Sequence, residues 1–145
     1  MIREINQNDH DIFIEMVNQF YHSPAVLHHI PSVHAENTFI ELMNQSPYVK
    51  GYLFELEGNI AGYGLLAITY SNEAGGLVVW IDEILILEAY RGKGLGTEFF
   101  AFVQQQFPQA KRFRLEVTKE NTRATKLYQS LKYESLDYLQ MVLER

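Results

Sequence analysis

Between Arg91 and Thr97 the chain switches from a strand period to a helix period, and that switch constrains the fold more than any other feature. Upstream of it, Tyr48 to Leu56, Ile60 to Thr69 and Leu77 to Leu87 read as strands. Glu57-Gly58-Asn59 reads as a tight hairpin turn between the first two. Downstream, Leu95, Phe99, Phe102 and Val103 recur at helical spacing until about Phe107, and Pro108 stops the helix. The join is glycine-rich: Arg91-Gly92-Lys93-Gly94-Leu95-Gly96-Thr97. An apolar strand that feeds through glycines into an amphipathic helix implies a layered α/β unit, because each must bury its apolar side against the other.

The flanking segments extend this pattern. Ile2 to Ile5 reads as a short strand. Asn8 or Asp9 is expected to cap a helix to about Tyr21, with Ile12, Phe13, Met16, Val17 and Phe20 on one face. His22 to Pro31 is irregular, and a second helix is expected from about Ala35 to Asn44, with Phe39, Ile40, Leu42 and Met43 inward. Phe113 to Val117 alternates as a strand, Asn121 to Leu131 is helical, and Tyr133–Glu134 and Asp137 to Leu143 read as closing strands. The expected order is β-α-α-β-β-β-α-β-α-β-β: an α/β (α+β) mixed sheet with helices on both faces. At 145 residues it is expected to form a single domain, 1–145.

Composition narrows the chemistry. The chain has no cysteine, which excludes disulfides, thiolate metal sites and a cysteine nucleophile. A net charge of -6 disfavours nucleic acid as a partner. No apolar run reaches 18 residues and the N-terminus has no apolar signal region, so neither a membrane nor secretion is expected, and the expected setting is cytoplasmic.

Gly92, Gly94 and Gly96 let an anion approach unpaired helix N–H groups, and Arg91 and Lys93 add cationic side chains. The turn therefore suits a phosphate or pyrophosphate, despite the acidic whole. The dinucleotide pattern GxGxxG fails on its spacing, and the P-loop GxxxxGK[ST] fails because Lys93 precedes the last two glycines. A plain strand-to-helix turn with solvated charges is the competing reading.

The stretch Ile84-Leu85-Ile86 followed by Arg91, Gly94 and Gly96 resembles the acetyl-CoA signature of the GNAT family of N-acetyltransferases, Arg/Gln-x-x-Gly-x-Gly/Ala after an apolar strand. Asn121, Ala124, Leu127 and Tyr128 resemble that family's second motif helix, and Asn121, Ala124 and Tyr128 share one helical face. Read without the resemblance, Asn121 is a helix cap and Tyr128 a core aromatic. Glu88, Ala89 and the Lys132-Tyr133 pair depart from the family pattern. A non-glycine in a left-handed cap costs about 1–2 kcal/mol, so this helix is expected to end differently.

The resemblance implies the acyl-CoA N-acyltransferase fold and transfer of an acetyl group from acetyl-CoA to a primary amine of a small molecule or peptide. It implies a pyrophosphate cradle at Arg91, Gly92, Lys93, Gly94, Leu95, Gly96 and Thr97. It also implies pantetheine pairing with Ile84, Leu85 and Ile86, with Asn121 and Ala124 beside it. Tyr128 is the implied proton donor to the leaving thiolate. An alkylamine with a pKa of about 10.4 is neutral only roughly once in a few thousand at pH 7, so a base is useful. Asp82 and Glu83 are the candidate bases and Glu116 a third. Neighbours on a strand face opposite ways, so only one of the first two meets the acceptor unless a bulge re-aims the chain. Solvated or backbone-bonded carboxylates are the plainer reading. Without cysteine no acyl-cysteine forms, and direct attack in a ternary complex is expected.

The acceptor side is less specific. Phe20, Tyr21, His22, His28, His29 and His34 cluster in sequence; polar loop histidines near an entrance are the plainer reading, and contact of one histidine or Tyr21 with the acceptor is the alternative. No metal is expected, since no HExxH or paired Cys/His spacing occurs. The loop Ser71 to Gly76, with Glu73, is a further candidate border of the pocket. An acidic pocket suits a cationic acceptor. Tyr133, Tyr138 and Met141 make a homodimer interface near the C-terminus feasible. A non-catalytic acyl-CoA-binding or sensing domain on the same fold, and a kinase-like nucleotide binder, are the competing functions.

Overall fold

The computed structural model describes residues 1–145. Its elements are β1 (Ile2–Glu4), α1 (His10–Tyr21), α2 (Ser32–Met43), β2 (Val49–Leu56), β3 (Asn59–Ser71), β4 (Gly76–Ile86), α3 (Leu95–Gln106), β5 (Arg112–Leu115) and α4 (Thr122–Ser130). The five strands lie in the order β1-β2-β3-β4-β5. The first four pair antiparallel and β5 pairs parallel to β4, so the sheet is mixed as expected.

Local chemistry sets most boundaries. Glu57 and Gly58 both take left-handed conformations (φ 53° and 78°), the geometry of a two-residue turn whose twist matches its strands. Asp9 holds the N-cap position of α1, as one of the two expected caps, but its side chain makes no capping bond there; a 3-10 turn at Gln7–Asp9 precedes the α-helix, and its cap is Asn6. Asn6 Oδ1 accepts from the Asn8 N–H at 2.9 Å, and the Asp9 carboxylate accepts from the Asn6 N–H at 2.8 Å. Arg3 closes this corner by donating to both Asp9 oxygens, at 2.8 and 2.9 Å.

Strand alternation divides the core between the sheet's two faces. Leu53, Tyr63, Leu65 and Leu85 meet Phe13, Met16, Val17 and Phe20 of α1 and Ala35 and Phe39 of α2. Phe54, Leu66, Val79 and Ile81 meet Leu95, Phe99, Phe100 and Val103 of α3 on the other face. Each fully buried side chain of this size contributes about 1.5–3 kcal/mol. Gly64 lets α3 sit close: a Cβ there would lie 2.4 Å from the Phe99 ring. Ile40 does not join the core and is 54% exposed, because α2 turns only Ala35 and Phe39 fully inward.

Three further expectations are corrected. β5 ends at Leu115, leaving Val117 outside the ladder and 38% exposed. α4 does end on a left-handed residue: Lys132 takes φ 71°, and the Tyr133 N–H reaches the Tyr128 carbonyl at 3.0 Å. The six-residue closure outweighs the steric cost of a side chain there. Finally, Tyr133–Glu134 and Asp137 to Leu143 form no strands. Their alternation marks two faces, but no sheet edge receives their backbone groups, and a strand exists only with such a partner. Tyr138 instead donates to Glu73 at 2.6 Å, and Leu139, Met141 and Leu143 are 91%, 91% and 85% exposed.

Candidate active site

The site begins where two strands part. β4 and β5 pair only from Val78–Arg112 to Ile81–Leu115. Beyond that point β4 continues to Ile86 paired with β3 alone, so the backbone edge of Asp82 to Ile86 on the β5 side is left open. Arg91 Nε takes one of its carbonyls, that of Ile86, at 3.1 Å. The opening is a cleft of about 1530 Å³ bounded by β4, the glycine turn, α4 and the irregular segment after α1. Ile84, Leu85 and Ile86 line it.

The glycine turn stands at one end. Gly92 and Gly94 have φ 73° and 83°, a region that disfavours side chains, and a Cβ on either would meet nothing within 4 Å. Gly94 is the N-cap of α3, where no side chain caps the helix and the first N–H groups lack intrahelical partners. Arg91, Gly92, Gly94, Leu95, Gly96 and Thr97 all line the cleft. Lys93 does not: its ammonium lies 5.6 Å from the Tyr90 ring centre. The arrangement accommodates a pyrophosphate, with open room above oriented N–H donors and a guanidinium alongside.

α4 forms the facing wall. Asn121, Ala124, Leu127 and Tyr128 line the cleft, the shared face read from their spacing. Asn121 also caps the helix, its Oδ1 accepting from the Ala124 N–H at 3.3 Å. Tyr128 packs against Phe100 and Tyr133, with centroids 5.5 and 6.3 Å away. Burial pushes its phenol up, so it stays protonated at neutral pH.

A bulge falls at the two adjacent carboxylates, both of which border a smaller cavity against α1. Leu66 pairs with Ile81 and Leu65 with Glu83, so Asp82 is the extra residue. Asp82 faces the cleft. Its carboxyl is pushed up, first by loss of solvent and then by the negative charge of Glu116, which also lines the cleft. Glu83 turns toward the α1 side and is buried. Its Oε2 accepts from the Tyr63 hydroxyl at 2.7 Å and its Oε1 from the Tyr21 hydroxyl. Burial pushes the Glu83 carboxyl up as well, against the opposing effect of those two hydrogen bonds.

The other end of the cleft is formed by Phe20, Tyr21, the segment from Ser23 to Pro31, and His34. Thr118 ties this segment to the β5–α4 loop by donating to the Pro24 carbonyl at 3.0 Å. His28, His29 and His34 line the cleft and His22 does not; its ring meets that of His29 at 4.4 Å. No group of three or more potential metal ligands comes together. The Ser71–Gly76 loop lies elsewhere, with Glu73 held by Arg112 at 2.9 Å and by Tyr138. Tyr63 and the Thr118 tie are absent from the sequence reading, because each depends on a partner far away in the chain.

A sequence profile described as the acetyltransferase (GNAT) family matches residues 13–133. Among curated proteins, the chain is similar to a spermine/spermidine N(1)-acetyltransferase of Bacillus subtilis (strain 168), 28% identical over 95 residues. That match covers 62% of this chain and 62% of the relative, less than two thirds of its length. A thialysine N-epsilon-acetyltransferase of Mus musculus is 25% identical over 140 residues, covering 90% of this chain and 81% of that protein. Among solved structures, an aminoglycoside N-acetyltransferase in complex with CoA superposes with a TM-score of 0.81 at 19% identity, covering 100% of this chain and 94% of that one. At that identity the likeness is one of fold.

Proposed function

The chain belongs to the GNAT acetyltransferase family, and we propose that it transfers the acetyl group of acetyl-CoA to a cationic primary amine by direct attack. The observation that carries this reading is the parting of β4 from β5, which opens the Asp82–Ile86 edge beside both the glycine turn and the Tyr128 face of α4. Acetyl-CoA supplies an activated thioester. Arg91 and the N–H groups of Gly92 to Thr97 hold its diphosphate. The open edge at Ile84 to Ile86 pairs with the amides of its pantetheine arm, as an added strand would. A backbone N–H on that edge meets the negative charge that develops on the thioester oxygen. Asn121 and Ala124 bound the arm from α4.

Asp82 is the base in this reading, because it faces the cleft and its raised carboxyl is a better proton acceptor than an ordinary aspartate. Tyr128 delivers the proton to the departing thiolate. Taking free Cys at about 8.5 and Tyr at about 10, that transfer is uphill by roughly 2 kcal/mol, which a typical enzymatic barrier absorbs. Burial of Tyr128 raises this cost and also guarantees the proton. Asp82 and Glu116 in the cleft favour a cationic acceptor, as do the two curated relatives named for spermine/spermidine and thialysine acetylation. A cytoplasmic setting belongs to the same proposal; no helix is long and apolar enough to cross a membrane.

The test is CoA thiol release across a panel of neutral and cationic amines, including spermidine, for the wild type and Tyr128→Phe. The cationic amines are expected to be consumed. Tyr128→Phe is expected to lower kcat by about ten- to a thousand-fold with little change in CoA affinity by calorimetry. CoA binding without consumption of any amine would favour an acyl-CoA-sensing domain. An unchanged kcat would return Tyr128 to a packing role.

A further inference from the structure

Glu83 presents a problem that the reaction scheme leaves unsolved. It is a carboxylate only 7% exposed, and no Arg, Lys or His forms an ion pair with it. Burying such a group without a cation is costly. Its only side-chain hydrogen bonds are from two tyrosine hydroxyls, one on each oxygen. They come from opposite situations. Tyr63 lies in mid-β3 and is 0% exposed, with its ring edge-on to Phe13 at 5.7 Å. Tyr21 is the last residue of α1, half-buried, and its side chain borders the cleft next to Asp82.

The three residues therefore form a directed chain from core to cleft. A phenol has one hydrogen to donate and lone pairs to accept. The Tyr21 hydrogen is committed to Glu83 Oε1, so toward the cleft the phenol oxygen can only accept. Glu83 cannot swing out to meet a substrate itself, because both oxygens are engaged and the Tyr63 bond anchors it from behind. An oxygen polarised by a carboxylate and restricted to accepting selects an N–H, and above all an N–H that carries positive charge.

We propose that Tyr21 accepts a hydrogen bond from the amine of the acceptor through its phenol oxygen, and that Glu83 and Tyr63 are positioning residues that keep its hydroxyl hydrogen turned away from the cleft. This rests on the N-acetyltransferase reading, and it assigns Glu83 an indirect role instead of that of base. Asp82 and Glu116 then act on the charge of the acceptor, while Tyr21 fixes the direction of its nitrogen.

The test is steady-state kinetics with acetyl-CoA and spermidine, or whichever amine of the panel is turned over fastest, for the wild type, Tyr21→Phe, Glu83→Gln and the double variant. Thermal melts confirm that each is folded. Tyr21→Phe is expected to raise KM for the amine about tenfold, as for loss of one hydrogen bond to a charged group, while KM for acetyl-CoA stays within about twofold. Glu83→Gln is expected to raise the same KM by a smaller factor. The double variant is expected to match Tyr21→Phe alone, because Glu83 acts only through Tyr21. An unchanged amine KM in Tyr21→Phe, or effects that multiply in the double variant, would overturn the inference. A wild type that consumes no amine overturns the functional reading instead. Calorimetric titration of the CoA-loaded protein with spermidine then decides the inference: equal affinity in wild type and Tyr21→Phe, or no binding by either, sinks it.

Discussion

At the scale of single residues, the bulge at Asp82 governs the site. Without it, the side chains of Asp82 and Glu83 would simply alternate; with it, Asp82 is the extra residue in the ladder and Glu83 opposes Leu65. The cost falls on Glu83. Its folded-state carboxyl is held above the ordinary range, so the native protein retains a proton that the unfolded chain has already released. Stability therefore falls as pH climbs from the unfolded value of about 4.3 through the folded one. Glu83→Gln removes that loss while keeping the shape of the side chain. In urea titrations between about pH 4 and pH 8, its midpoint is expected to gain on the wild type as pH rises. A difference independent of pH would mean that Glu83 titrates normally. Gained stability with weakened acceptor binding would mark Glu83 as a group kept for function.

At the scale of elements, local signals account for what was legible. The Leu95–Gln106 helix, the Glu57-Gly58 turn and the shared face of Asn121, Ala124 and Tyr128 depend on neighbours within a few residues, and periodicity and turn chemistry encode these. The errors fall where a distant partner decides. Asp137 to Leu143 alternates like a strand yet has no edge to join, and Ile40 sits on a helix whose inward face is set by the sheet beneath. The end of α4 is a different case, a local rule outweighed. Lys132 occupies a left-handed position that suits glycine. Lys132→Gly is expected to raise stability in urea unfolding by about 0.5–1 kcal/mol, the steric relief less the added freedom of the unfolded chain. A loss of stability would show that the lysine side chain makes a contribution beyond the backbone turn.

At the scale of the whole molecule, a net charge of -6 coexists with a site shaped for a polyanion, because charges beyond about 8 Å are largely screened at physiological salt. In the proposed function Arg91 and the start of α3 act locally on phosphate, whereas Asp82 and Glu116, which line the same cleft, act on the acceptor. Raising salt from about 20 to about 200 mM is accordingly expected to raise KM for a cationic amine several-fold and to leave a neutral amine nearly unaffected. Equal changes for both would detach the acidic residues from acceptor binding. The sequence by itself determined the element order through α4, the glycine turn, the face of α4 and the resemblance they carry, since each is written in spacings of a few residues. Only the tertiary structure decided that β4 parts from β5, that a bulge displaces Asp82, and that Tyr21, Tyr63 and Glu83 meet across 62 and 20 residues of chain. Strand register and buried hydrogen bonds are set by packing between remote segments, and periodicity carries no record of which remote segments those are.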